Sequence, residues 1–365
     1  MLPFIRPTIP EPDAWLPYLS ASYAQRIFSN SGPAALRLEA CLTAKYAAPD
    51  REAVLVSSCT AGIAAALLAT GATGRVVVPA FTFPATAQAV LQSGCRPVFC
   101  DVSRDTWETD PASLEQVLVS YPASAVVHVR PFGFCRDAAV IEETAARHGA
   151  RVIIDAAAAL GGRLETGEPV GRQGVIEAFS MHATKVFGIG EGGALFVDPA
   201  DAARVRRARN FGIVSGDVAA AGLNAKLSDV HAAIGLAVLD RVEGFIQHRR
   251  GIVDRYDRAL MSCSWAVRAP RAGIPPMQSY PFLVESPSRA AAVVAGARRK
   301  GVELRRYYTP PLHRTTAFGR CERGTIEVSD DLAGRVVCAP VYSDMTDAEA
   351  DAVIDALLRG GECRD

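Results

Sequence analysis

AVVHVRPFGFCRDAAVIEETAARHGARVIIDAAAALGG, residues 125–162, holds a strand, a helix and a second strand in one run. AVVHVR (125–130) and RVIID (151–155) are short and rich in β-branched residues, while AAVIEETAARHG between them has a helical texture. Strand, helix and strand in succession predict parallel pairing with the helix packed on one face of the sheet. The same alternation extends outward from about residue 52. AVLVS (53–57), RVVVPA (75–80) and PVFCDV (97–102) precede this run, and IEAFSM (176–181) and ALFVD (194–198) follow it. AGIAAALLAT, ATAQAVLQSG and PASLEQVLVS supply further helices. The expected fold is α/β: a mostly parallel central sheet with helices on both faces.

One long helix is expected from about Leu227 to Leu260, and there the texture changes. Pro, Gly and Ser punctuate 263–288, and mixed strands and helices continue to AEADAVIDALL (348–358). The boundary falls near 240–250, which predicts a large α/β domain over 1–245 and a smaller α+β domain over 246–365. A chain of 365 residues, 49% hydrophobic, has ample material for two cores.

Lys+Arg and Asp+Glu both number 39, so net charge gives no support to a nucleic-acid partner. The basic runs RVRRARN (204–210) and RRK (298–300) read as solvated helix faces. No stretch approaches the roughly 20 apolar residues of a membrane span, and the N-terminus lacks a signal-peptide core. Nine cysteines without a CxxC pair read as reduced thiols in a cytoplasmic protein, and no metal site is expected from the six histidines.

Four segments carry chemistry. VSSCTAG (56–62) passes from a strand end into a helix start, where hydroxyls and free N–H groups suit a phosphate; taken alone, it reads first as an N-cap by Ser58 or Thr60, since caps are far commoner than anion sites. Asp155 closes an apolar strand, where a carboxylate needs a cationic partner such as a protonated ring nitrogen, or else caps the following turn. Lys185, in FSMHATKVFGIGEGG (179–193), is flanked by apolar residues that would lower its pKa and suit it to Schiff-base chemistry; a surface lysine is the alternative. GLNAKLSDVHAAIG (222–235) offers Asn224 as a turn residue and Ser228 as an N-cap.

In this order and spacing, together with VVVPAFTFPATAQAVL and PVFCDV, the segments resemble the DegT/DnrJ/EryC sugar aminotransferases, enzymes of pyridoxal 5′-phosphate (PLP) with the aspartate-aminotransferase-like fold. The likeness runs from FSNSGP (28–33) to APVYSDMT (339–346). It implies that Lys185 holds PLP as a Schiff base and that Asp155 pairs with the ring nitrogen. It implies that Phe83 stacks over the ring and that Thr60, Ala61 and Ser180 hold the phosphate. Asn224 falls on an asparagine given to the partner subunit's phosphate, which implies a homodimer with shared sites. His182, and Tyr307, Tyr308 and His313 in RRYYTPPLH (305–313), are substrate-side candidates.

Three positions depart from the pattern, one of them Leu160, which stands where a His is common. Ala158 stands where the family often has a Gln that reaches the cofactor's ring hydroxyl, and Cys59 stands where the family turn has Gly. The implied activity is transfer of an amino group, from glutamate as in much of the family, to a keto-sugar, most simply a nucleotide-linked one in amino-sugar biosynthesis. A keto-cyclitol or other ketone is an alternative acceptor. A PLP-dependent sugar dehydratase is a second alternative, opposed by Lys185, because those relatives carry His at that position and His182 lies three residues too early. A non-catalytic PLP-binding regulator is the third.

Overall fold

The computed structural model describes residues 1–261 and 263–361. Seven strands form the central sheet: β1 (Glu52–Val56), β2 (Arg75–Pro79), β3 (Arg96–Cys100), β4 (Ala125–Val129), β5 (Arg151–Asp155), β6 (Ile176–Ser180) and β7 (Gly193–Val197). Their order is β1-β7-β6-β5-β4-β2-β3, and β7 alone runs against its neighbours. Each lies within two residues of the run that predicts it.

Alternate residues of each strand enter opposite cores, as the two-residue period requires. Ala53 and Leu55 of β1 meet the helices Pro33–Tyr46 and Asp229–Leu239, in a core that also takes in Pro111–Ser120 and Ala139–Arg147. Val54 and Val56 face the other way, toward Cys59–Ala69, Pro84–Gln92 and Pro199–Ala208.

The single helix expected over 227–260 is two. Asp229–Leu239, capped by the Ser228 hydroxyl, ends before Arg241, and Val242–Leu260 follows. The break has a packing cause. The first helix is buried in the large core on nearly every side. The second places Val242 and Ile246 in that core and Ile252, Val253, Tyr256 and Leu260 in the C-terminal one, so its axis must be redirected.

After an exposed hairpin of β8 (Ile213–Val214) and β9 (Asp217–Val218), the C-terminal part forms an antiparallel sheet of β10 (Ala266–Arg268), β11 (Tyr280–Val284) and β12 (Val336–Ala339). Phe81, Trp107, Phe132 and Phe134 pack with Leu332, Ala333, Val336 and Cys338 and join it to the large sheet. Among the described residues no helix is long and apolar enough to cross a membrane.

The run 204–210 is not the solvated face its charges suggest. Arg209 is buried and donates to Glu39 Oε1 (2.9 Å) and Ser31 Oγ (3.0 Å), and Arg206 reaches Glu39 Oε2 (2.6 Å) and Glu52 (3.2 Å). The acceptors lie more than 150 residues upstream, beyond what local charge patterning can show.

Candidate active site

The carboxyl ends of the parallel strands and segments of the C-terminal part enclose a cavity of about 440 Å³. Crevices at such strand ends are where α/β sheets place ligands.

Asp155 ends β5 and forms part of the cavity wall while only 6% exposed. Its Oδ2 accepts from the Thr86 hydroxyl at 2.7 Å and its Oδ1 from the Ala157 N–H at 3.2 Å. Because Thr86 donates to the carboxylate, Thr82, 2.9 Å away, donates to Thr86. Burial pushes the Asp155 carboxyl above its ordinary range, and the two hydrogen bonds and the charge of Lys185 pull it back. The turn-capping alternative is thus also met, by the Ala157 contact.

Lys185 sits in the turn after β6. The turn closes through Ala183 N–H to Gly190 O and Lys185 N–H to His182 O, both 2.8 Å. Gly188 is required there, because a Cβ would meet the Ala183 carbonyl oxygen at 2.7 Å. Buried Val186 and Phe187 anchor the turn, and Nζ donates to Gln278 Oε1 at 2.9 Å. Burial lowers the pKa of the Lys185 amine, and Cys59 and Asp155 oppose that shift. An amine whose pKa is lowered by burial, on one cavity with a buried carboxylate, is a setting for imine and proton-transfer chemistry.

The helix Cys59–Ala69 points its N-terminus into the same cavity. Ser58 is its cap and accepts the Ala61 N–H at 3.1 Å, while Ser58, Cys59 and Thr60 line the cavity. Ala61 does not, and its N–H donates to the Ser58 cap. The N–H groups of Cys59 and Thr60 lie at the open end of that first turn, where an anion is favoured.

Of the other residues marked in the sequence, Phe83, Ala158, Ser180, His182, Tyr307 and Tyr308 line the cavity. Phe83 is 56% exposed, which leaves most of its ring available to a ligand. Tyr308 stacks on Phe132 at 5.7 Å, and Tyr307 meets Phe4 edge-on at 5.8 Å.

His313 does not reach the cavity. After Pro310 and Pro311 the chain turns away, and the His313 ring is buried 3.0 Å from Asp330 Oδ1. Asn224 is exposed outside this chain's cavity, where its Oδ1 accepts from Lys226 Nζ at 2.8 Å.

Four contributors were not singled out in the sequence, although Thr86 and Arg305 lie within segments quoted above. Thr86 and Gln278 are single polar residues in segments read as helix and as loop punctuation. Arg305 and Phe4 come from the two ends of the chain and meet only through folding, with the guanidinium 4.9 Å from the ring centre.

An α/β sheet of this topology, with a lysine amine, a buried carboxylate and a helix N-terminus around one cavity, defines a PLP-dependent aminotransferase of the aspartate-aminotransferase-like fold. Residues 15–358 match the DegT/DnrJ/EryC1/StrS aminotransferase family, and the chain belongs to it. It is 31% identical over 369 residues to protein Rv3402c of Mycobacterium tuberculosis, covering 98% of this chain and 89% of the relative. It is 28% identical to dTDP-4-amino-4,6-dideoxy-D-glucose transaminase of Escherichia coli, covering 98% of each chain. Among solved structures, DesI in the presence of its TDP-sugar product superposes with a TM-score of 0.90 at 32% identity, covering 98% of this chain and 92% of that one.

Proposed function

We propose that this enzyme transfers an amino group from an amino acid, glutamate being the expected donor, to a ketone on a nucleotide-linked sugar. The observation that carries the reading is the placing of Lys185 and Asp155 on one cavity with the Cys59–Ala69 helix N-terminus. The likeness to the E. coli transaminase and to DesI supports a sugar-nucleotide acceptor.

The residues present fit PLP. The Lys185 amine would hold it as a Schiff base, and Asp155 would face the ring nitrogen. Phe83 would cover the ring, and Ser58, Thr60 and Ser180 would receive the phosphate. When bound, PLP supplies an electron sink for the carbanion formed at the donor's α-carbon. Asp155 would hold the proton on the ring nitrogen by pairing its charge, and Lys185 Nζ would be the base that takes the α-proton. Tyr307, Tyr308 and His182 border the space left for the acceptor. The cavity has the size for small molecules, and the free thiols among the described residues suit a cytoplasmic setting.

We further propose a homodimer. Phe211, Ile213, Val214 and Val218 are exposed apolar residues around the β8–β9 hairpin, and Asn224 lies close to it in sequence. Covering them with a second copy would bring that asparagine toward the partner's cavity.

The deciding experiment mixes enzyme, PLP and glutamate with a keto-sugar nucleotide and follows 2-oxoglutarate. Release that requires the sugar nucleotide supports the reading, and release with a keto-cyclitol but not the nucleotide sugar overturns it.

Ala158 leaves out a side chain that would hydrogen-bond the cofactor. Ala158→Gln is expected to tighten PLP by about 0.5–1.5 kcal/mol, read as a lower dissociation constant in a fluorescence titration. Unchanged or weaker binding would mean the cavity has no room for that contact.

A further inference from the structure

Among the described residues, the hydrogen bond that Lys185 Nζ makes goes to Gln278 Oε1, 2.9 Å away and 93 residues further along the chain. Nothing local to Lys185 explains this partner. It comes from the segment before β11, and that segment is firmly held. Met277 is buried at φ +64°, a backbone conformation that a side-chain-bearing residue keeps only where its surroundings over-determine it. The surroundings are Arg249, itself 3% exposed. Its guanidinium donates to the carbonyls of Met277 (3.4 Å), Gln278 (3.3 Å) and Val341 (2.9 Å), and its Nε to Ser343 Oγ (2.9 Å). Tyr280, two residues on, is fixed by Asp257 at 2.8 Å. Three contacts from one helix, Val242–Leu260, therefore hold the segment that brings this carboxamide to the cavity.

We propose that Gln278 is a positioning residue for the free amine of Lys185, holding it beside the reacting carbons without fixing its charge. The inference rests on the reading of Lys185 as the base. The chemistry of the partner is what such a base needs. A carbonyl oxygen accepts a hydrogen bond from either an ammonium or a neutral amine. A carboxylate in its place would hold the lysine as an ammonium, unable to take a proton. A hydrocarbon would leave the amine with no acceptor and let it swing toward the charge of Asp155.

The test uses the full-length chain with cofactor removed and two variants of similar side-chain length, Gln278→Glu and Gln278→Met. Reductive methylation of Lys185 across pH, read by mass spectrometry, gives the midpoint at which the amine becomes neutral. Gln278→Glu is expected to raise that midpoint by about one pH unit or more. Gln278→Met is expected to lower it, because an acceptor that favours the ammonium has gone. With PLP restored, the half-reaction with glutamate is expected to slow about tenfold or more in both variants, with the donor's KM changed far less than kcat. Near-UV circular dichroism identifies either variant that loses its fold, and the other then decides. Midpoints equal to wild type in a folded variant, or a half-reaction at the wild-type rate, overturn the proposal. If wild type shows no half-reaction while the midpoints shift as expected, the amino-transfer reading fails and the contact itself stands.

Discussion

Lys185→Ala is expected to lower amino transfer by roughly 10⁴-fold or more, because it removes both the covalent attachment and the base. A misplaced base alone costs about 10²- to 10⁴-fold, and here no neighbouring group is placed to substitute. His182 lines the same cavity, but its Nδ1 is held by the Thr184 hydroxyl at 2.8 Å and its Nε2 faces Glu191. The change should leave the fold intact. Among the described residues the side chain makes no ion pair and one hydrogen bond, to Gln278, the turn that carries it is closed by backbone bonds, and burial already disfavours the ammonium. Thermal unfolding of the cofactor-free variant should therefore be equal to or slightly above wild type. Two measurements check the claim: 2-oxoglutarate release, and recovery of the borohydride-fixed cofactor on a peptide containing residue 185 in wild type. Label on a different lysine, or turnover within about tenfold of wild type, would contradict the role assigned to Lys185.

The sheet was legible because each strand is a buried apolar run bounded by turn residues, and such runs mark themselves. Asp155 and Lys185 were legible only together: each alone also reads as a turn cap or a surface lysine, and it is their order and spacing with the other segments that carries the family resemblance. The break at Arg241 was not, because helical propensity continues through it and only the change of packing partner ends the first helix. Thr86 shows the same limit at the site. It lies in a helix whose sequence reads as ordinary, and its bond to Asp155 spans 69 residues. Gln278 and Arg249 are further examples, since their role depends on a backbone conformation at Met277 that no residue type announces. His313 failed in the opposite direction: it lies near two aromatic residues of the cavity in sequence, but the prolines between them turn the chain away.

Asp155→Asn separates the enzyme's activity from its stability, and the two are expected to move in opposite directions. The substitution keeps the shape and an oxygen for the Ala157 N–H but removes the charge that pairs with a protonated ring nitrogen. Breaking a buried ion pair from one side costs about 3–5 kcal/mol, which corresponds to a fall in kcat of roughly 10²- to 10⁴-fold. Without cofactor the balance reverses. Burial raises the Asp155 pKa in the folded chain, so the folded state binds a proton more tightly than the unfolded state. Its contribution is present at low pH and is lost as pH rises from the ordinary carboxylate range through the raised value. As pH rises the cofactor-free wild type therefore loses that contribution, whereas Asn, which does not titrate, has none to lose. Cofactor-free Asp155→Asn should melt at or above the wild-type temperature near neutral pH, and below it in acid, where the wild-type carboxyl is protonated. PLP should raise the melting temperature of wild type more than that of the variant, since only wild type offers the ring nitrogen a charge. Melting curves with and without PLP across this pH range, beside kcat for the donor half-reaction, test the whole scheme. A variant that loses activity and cofactor-free stability together at neutral pH would show that Asp155 serves the fold, through Thr86 and Ala157, rather than the cofactor.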